Sequence, residues 1–124
     1  MTEVMQALNR FFDGLGLPSW PAGQIPPGAA LPLLTWEATA GRFGHGCAVT
    51  ATAWFDGPDA NILRAAFLDT VLEALPEGGL RLPMAEGFLL LERSGDFLQN
   101  VSDPAHPGLL GGRIRLTLRR YGAA

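Results

Sequence analysis

Lysine is absent from the sequence and cysteine occurs only once, but only the scarcity of cysteine limits what the protein can be. The nine basic residues are all arginine, and they stand beside 16 glycines and 10 prolines. A GC-rich coding genome accounts for this composition, so arginine in place of lysine is a poor clue to function. The single cysteine, Cys47, excludes an internal disulfide, and the fold must therefore be held by packing alone.

Long apolar runs are missing as well. None approaches the roughly 18 residues that a membrane-spanning helix needs. The first residues, MTEVMQALNRFF, lack the basic start and the continuous apolar stretch of a secretory signal. The net charge of −3 argues against binding of nucleic acid through the whole surface. We therefore expect a protein that is made in the cytoplasm and that binds neither membranes nor specific nucleic-acid sequences.

The first part of the chain predicts a helix and an ordered strap. A length of 124 residues, 48% of them hydrophobic and 17% charged, is that of one globular domain spanning residues 1–124. Apolar residues recur at helical spacing from Val4 to Leu15 behind Thr2, which is placed to cap the helix. Residues 16–32 are rich in proline and glycine, which exclude regular structure. They also contain large apolar side chains, so we expect a strap that lies across the body.

Two strands and a central helix follow the strap. Residues 33–40 and 47–55 alternate apolar and polar side chains, and the glycine-rich GRFGHG between them predicts the tip of an antiparallel hairpin. Asp59 is placed to cap a helix that ends at Pro76. Periodicity on this helix and on the strands predicts one core, which contains Cys47, Leu63, Phe67, Val71, Leu72, Ile114, Leu116 and Leu118.

The second half of the chain predicts further strands at residues 80–83, 88–94 and 113–121. Residues 95–112 are predicted to form a long loop that carries the apolar pair Leu109–Leu110. This loop is either a docking arm or a segment that packs against the strap. The whole pattern predicts an α+β fold, with an antiparallel sheet of about four to five strands and two helices packed on one face.

The last strand, within GGRIRLTLRRYG, separates charged from apolar side chains. Because successive side chains of a strand point to opposite faces, Arg113, Arg115 and Arg119 share one face. The isoleucine and leucines between them share the other face, which suits the helices. The arginines then lie on the helix-free face of the sheet. That face is either simply solvated or shaped to contact a partner.

No arrangement of residues predicts catalysis, a cofactor or a metal. Cys47 lies two residues from His45, but it begins an apolar strand face, where cysteine behaves as a small hydrophobe. His45, His106 and Asp103 lack the spacing of dedicated metal motifs. Neither a phosphate-binding glycine motif nor a serine nucleophile elbow occurs. We therefore expect a protein that is not an enzyme and that has no catalytic, cofactor-binding or metal-binding residues.

The order and pattern of these segments resemble the small tail terminator proteins of long-tailed phages and prophages, which are also called tail-completion or minor tail proteins. Those proteins have an N-terminal helix, a proline-containing approach, an early hairpin, a central amphipathic helix and closing strands. The resemblance covers nearly the whole chain. It is carried by the stretches VMQALNRFF, PPGAALPLLTWEATA, CAVTATAWF, NILRAAFLDTVLEALP and GGRIRLTLRRY.

This resemblance implies a structural component of the virion that has no enzymatic activity and no cofactor. Such proteins assemble as a homo-oligomeric ring, commonly a hexamer, on the head-proximal end of the tail tube, where they stop tube growth. The implied partners are other copies of the chain, the tail-tube protein and a neck or connector protein. The implied location is the cytoplasm of the bacterial host during assembly and then the virion or tail-like particle.

The resemblance also implies a role for the three arginines of the last strand, Arg113, Arg115 and Arg119, which we call the arginine row. It places them at an interface between subunits. Arginine pairs well with carboxylates, and a ring brings acidic residues of a neighbouring copy close to such a row. Two other interpretations stay open: another neck or head–tail connector protein, and a small cytosolic ligand-binding α+β module or minor enzyme. The candidate interface residues are Arg113, Arg115, Arg119, Glu37, Leu109 and Leu110, with Asp56, Asp59 and Glu86 as further acidic candidates.

Overall fold

The computed structural model describes residues 2–39 and 46–122. Within them lie two helices, α1 (Glu3–Asp13) and α2 (Ala60–Ala74). The predicted hairpin tip at residues 41–46 falls almost entirely outside the described residues. The strands are β1 (Ser19–Pro21), β2 (Leu33–Thr39), β3 (Cys47–Phe55), β4 (Leu80–Pro83), β5 (Phe88–Asp103) and β6 (His106–Tyr121).

These strands form one mixed sheet in the order β1-β2-β3-β6-β5-β4, curved into a half-barrel. Strand β1 runs parallel to β2, and the other described pairs are antiparallel. The predicted fold, an antiparallel sheet of four to five strands with two helices packed on one face, is therefore wrong. The additional strand, β1, lies in the strap, where its proline is tolerated because an edge strand has one side without hydrogen-bonding partners.

The largest departure from the predicted elements is a long hairpin made by β5 and β6. Each of these strands has 16 residues, and the turn between them consists of Pro104 and Ala105. The predicted loop at residues 95–112 is therefore wrong. A register shift between Arg93 and Leu98 interrupts the alternation of side chains along β5. The Gly111–Gly112 pair interrupts the alternation again along β6. The sequence pattern therefore does not predict the full length of either strand.

The apolar core joins the sheet to both helices. We call the side of the sheet that carries this core the inner face. Phe12 of α1 stacks on Trp36 of β2 with 5.5 Å between the ring centroids, and Phe67 of α2 lies 6.0 Å from Phe55 of β3. At Gly112 a Cβ atom would come within 3.0 Å of the Leu68 side chain, so the absence of a side chain there lets α2 approach β6 closely.

The predicted core is only partly correct. Leu63 and Leu72 are wrongly assigned, because they are 44% and 42% exposed at the two flanks of α2. Cys47 is half-buried and packs against the edge of the core. The predicted core residues that are confirmed as buried are Phe67, Val71, Ile114, Leu116 and Leu118.

Side chains satisfy backbone groups at one end of each helix. Thr2 Oγ1 accepts a hydrogen bond of 3.2 Å from the N–H of Met5, as expected for a residue that caps α1. At the C-terminal end of α2, Arg93 donates hydrogen bonds to the carbonyl oxygens of Leu75 (3.0 Å) and Leu72 (3.4 Å). Helix ends leave carbonyl groups without partners inside the helix, so Arg93 connects β5 to α2.

Candidate interaction surface

The side of the sheet opposite the core, which we call the outer face, is organised in rows across the strands. Arg113 on β6 lies opposite Thr52 on β3. One row further along, Arg115 lies opposite Thr50, which itself lies opposite Glu37 on β2. Because adjacent strands are about 4.8 Å apart, Glu37 and Arg115 are separated by roughly 10 Å at the backbone. The structure thus brings these predicted site residues onto one face and into neighbouring rows, without pairing them.

Two of the three arginines have carboxylate neighbours in the same chain. Arg115 Nη1 lies 3.7 Å from Asp96 Oδ2, and Arg119 Nε lies 3.7 Å from Glu92 Oε1. Ion pairs as exposed as these contribute at most about 1 kcal/mol. Arg113 is half-buried and has no ion-pair partner within residues 2–39 and 46–122. Its guanidinium is therefore available to a carboxylate from another molecule.

Apolar side chains border the arginine row at both ends. Trp54 and Val101 meet over Gly111, where a Cβ atom would lie 2.8 Å from the indole ring and 2.7 Å from the valine. At the other end Phe88 stacks on Tyr121, with 5.4 Å between ring centroids. Aromatic side chains together with arginine are the groups enriched in protein–protein interfaces. The outer face has the composition of a contact surface.

The acidic residues that were predicted to meet the row do not pair with it inside the chain. Glu37 and Glu86 are exposed. Asp56 borders a depression near the hairpin turn, and Asp59 occupies the N-cap position of α2 without making the expected capping hydrogen bond. Their contacts with a neighbouring copy stay a prediction. The two carboxylates that do pair with the row lie on β5, and sequence reasoning missed them because it did not place β5 beside the arginines.

The leucine pair of the hairpin does not form a free arm. Leu110 lies opposite Phe55 and packs against the core. Leu109 is half-buried and, with Leu31 and Asp56, lines a surface depression of about 500 Å³. The hairpin end therefore lies beside the end of the strap. This arrangement favours the packing interpretation of the segment over the docking arm.

Helix α2 carries an exposed apolar surface that sequence reasoning missed. Ile62 is 71% exposed on the side away from the core, and Leu63 and Leu72 are partly exposed at the two flanks of the helix. Asp69 and Glu73 are also exposed on this helix, and neither has an ion-pair partner in the part of the chain that the structure describes. Apolar residues of this helix occur on its outward side as well as on its core side, interspersed with charged ones, so the sequence does not confine them to one face. That pattern was the available signal in the sequence.

Groups with possible chemical roles are few. Among residues 2–39 and 46–122, no cluster of three or more His, Cys, Asp or Glu side chains could hold a metal ion, and His45 lies outside these residues. Asp103 Oδ1 accepts the N–H of Ala105 at 2.9 Å, and Asp103 Oδ2 lies 3.1 Å from His106 Nδ1. These hydrogen bonds, first that from Ala105, hold the pKa of Asp103 below its ordinary value of 3.8. The pair closes the turn of the β5–β6 hairpin.

Comparison with known proteins gives no family assignment. The chain matches no protein-family model, no curated protein and no solved structure. Neither helix in the described ranges has the length and apolar character needed to cross a membrane. Function has to be inferred from the surfaces of the chain itself.

Proposed function

We propose that this protein is a structural subunit of a phage or prophage tail, of the tail terminator type, without enzymatic activity. It assembles as a homo-oligomeric ring, a hexamer, which caps the tail tube and joins it to the neck. The observation that carries the proposal is the outer face of the sheet. Half-buried arginines lie there between apolar borders, and Arg113 has no carboxylate partner among the described residues.

The order of the elements supports the same proposal. An N-terminal helix, a strap with prolines, an antiparallel pair β2–β3 and the central helix α2 succeed one another along the chain. Three closing strands follow, and the last of them ends at Tyr121. This is the order that the resemblance to tail terminators implies. The sheet has one strand more than expected, and that strand lies in the proline-containing segment before the early strand pair.

A ring of identical copies needs two different surfaces that fit each other, because each copy contacts one neighbour on either side. The outer face is one candidate for such a surface. The free edge of β5 is another, because β4 pairs only with Phe88–Leu91 and no other described strand covers the rest of that edge. Unpaired strand edges readily accept another chain. Both features suit a subunit that becomes complete only on assembly.

The test is to compare the wild-type protein with a variant in which Arg113, Arg115 and Arg119 are all replaced by glutamate. We expect the wild type to form rings of defined mass in sedimentation velocity, alone or on added tail tubes, and to cap those tubes in electron micrographs. Like charges brought face to face at an interface cost several kcal/mol, so the variant should stay a folded monomer.

A control is Arg10→Glu, one reversal of the same kind at an exposed position of α1, far from the arginine row in sequence. It should assemble like the wild type and should show the same far-ultraviolet circular dichroism. A wild-type protein that stays monomeric with and without tail tubes would contradict the proposal. A triple variant that assembles normally would remove the arginine row from the interface and return it to the solvated interpretation.

A further inference from the structure

We propose that the ring is built by one head-to-tail contact, in which the exposed side of α2 of one copy lies on the outer face of the sheet of the next copy. Asp69 then pairs with Arg113, and Glu73 pairs with Arg115. This inference rests on the proposed ring and names its interface. The occupant of both surfaces is a second copy of this chain.

The first support is the geometry of α2. An α-helix turns by about 100° per residue, so Ile62, Asp69 and Glu73 fall within a stripe roughly 40° wide. Phe67 and Val71, which are buried in the core, lie on the opposite side of the helix. The two carboxylates and the most exposed isoleucine of the chain therefore point away from the sheet along one line.

The second support is charge. Asp69 and Glu73 have no ion-pair partners among the described residues, and neither has Arg113 on the outer face. Arg115 is paired only with exposed Asp96 at 3.7 Å, so it can take a second carboxylate at little cost. Unpaired negative groups on one surface and an unpaired guanidinium on the other are complementary, whereas two copies of either surface facing each other would repel.

The third support is spacing. Asp69 and Glu73 are four residues apart on a helix, which corresponds to about 6 Å along its axis. Arg113 and Arg115 are two residues apart on a strand, which corresponds to about 6.7 Å. The two pairs therefore match when α2 lies along β6 of the neighbour. No comparable match is available on the inner face, because the core occupies it.

Spacing also selects one direction for the helix. Ile62 precedes Asp69 by about 10 Å along the helix axis. With Asp69 on Arg113 and Glu73 on Arg115, Ile62 comes to the end of the row that carries Trp54 and Val101. The reverse direction would place this isoleucine towards Arg119, beside charged groups. The apolar contact and the ion pairs agree only in the first orientation.

The position of the two surfaces explains why the contact can build a ring. Helix α2 packs through Phe67 and Val71 on the inner face, so its exposed side and the outer face lie on opposite sides of the subunit. A contact between two different surfaces is heterologous, and its repetition closes into a ring when the rotation between copies divides a full turn. The free edge of β5 is not needed for this contact and is left for the tube or the neck.

A charge exchange tests the pairing. The double variant Asp69→Arg, Glu73→Arg and the double variant Arg113→Glu, Arg115→Glu should each lose the ring in sedimentation velocity. The variant that combines all four changes should regain it, because the charges are exchanged across the contact. Glu77→Arg with Gln24→Arg, two charge changes at exposed positions that have no part in the proposed pairs, is the control and should keep the wild-type mass.

A cross-link tests the geometry independently. In a Cys47→Ser background, Asp69→Cys and Arg113→Cys together should give a ladder of covalent oligomers with a short bis-maleimide reagent. The variants that carry only one of the two cysteines should give no covalent oligomers, because a head-to-tail contact does not bring two copies of one residue together. A wild type that never forms rings would overturn the inference together with the proposed function. Rings that form without the ladder, or that survive both reversals, would overturn the inference alone.

Discussion

The two faces of β6 differ in where their partners come from. Ile114, Leu116 and Leu118 are buried on the inner face against strands and helices of the same chain. On the outer face Arg113 and Arg115 are only half-buried, and within the described residues only Arg115 of the two has an ion pair, at 3.7 Å with Asp96 of β5. The same strand thus stabilises the fold with one set of side chains and leaves the other set accessible, which is the set that the proposed function assigns to a neighbouring copy.

Helix α2 repeats this division. Phe67 and Val71 are buried, whereas Ile62 on the opposite side and Leu72 on a flank of the helix are in contact with solvent. Burial of apolar surface stabilises the fold in proportion to the area removed from water. The exposed side contributes little to that term, so it can be changed without loss of the fold. Under the proposed function, we therefore expect folding and assembly to be separable by mutation.

The strongest test of this separation is Phe67→Ala. The ring of Phe67 is buried and lies against Phe55, so its removal leaves a cavity and should lower the free energy of unfolding by about 3–5 kcal/mol. Leu63→Ala on the same helix is the control, and it should cost much less because that side chain is exposed. Urea denaturation followed by circular dichroism measures both. Equal losses for the two variants would mean that the sides of α2 have been assigned wrongly.

A smaller loss of stability is expected from a change at Arg93, whose side chain connects β5 to the C-terminal end of α2. Its guanidinium bonds the carbonyl oxygens at the end of α2 and also lies 4.7 Å from the ring centroid of Phe97. Hydrogen bonds from charged groups contribute about 1.5–3 kcal/mol, so Arg93→Gln should lower the free energy of unfolding by an amount in this range.

The control for Arg93 is Arg81→Gln. Arg81 is exposed and lies 4.7 Å from the ring centroid of Phe88, an interaction of about 0.5–1 kcal/mol at such sites. In thermal unfolding, Arg93→Gln should therefore lower the melting temperature more than Arg81→Gln does. If the Arg93 variant were as stable as the Arg81 variant, water would serve the carbonyl oxygens at the end of α2 as well as Arg93 does, and the helix end would not depend on β5.

Regular alternation made part of this fold predictable from the sequence. Residues 47–55 and 80–83 were predicted as strands with the bounds that β3 and β4 have, because nothing interrupts their patterns. The hairpin β5–β6 was missed where a bulge and two adjacent glycines break the alternation. Strand β1 was missed because a three-residue strand that follows one proline and ends in another carries too little pattern. Sheet order and curvature depend on pairings across the chain, which local periodicity does not contain.

The arginine row was predictable for the same reason as the strand that carries it. Its partners were not, because Asp96 and Glu92 reach it only through the pairing of β5 with β6. The exposed side of α2 was concealed by a different cause. Leu63 and Leu72 are apolar, and a sequence pattern assigns apolar residues of a helix to the core unless the position of the sheet is known.

The smallest effect, at the turn of the hairpin, concerns the pH dependence of Asp103. Its pKa is lowered, so the associated stabilisation is present above the pKa of the unfolded chain and is lost as the pH falls through the folded value. Carboxyl chemical shifts measured by NMR should therefore titrate below 3.8 for Asp103. The N–H of Ala105 is the largest single cause, so the pKa of Asp103 should stay below 3.8 in His106→Gln. A return to the ordinary pKa in that variant would assign the effect to the histidine and would show that the backbone of the turn contributes little.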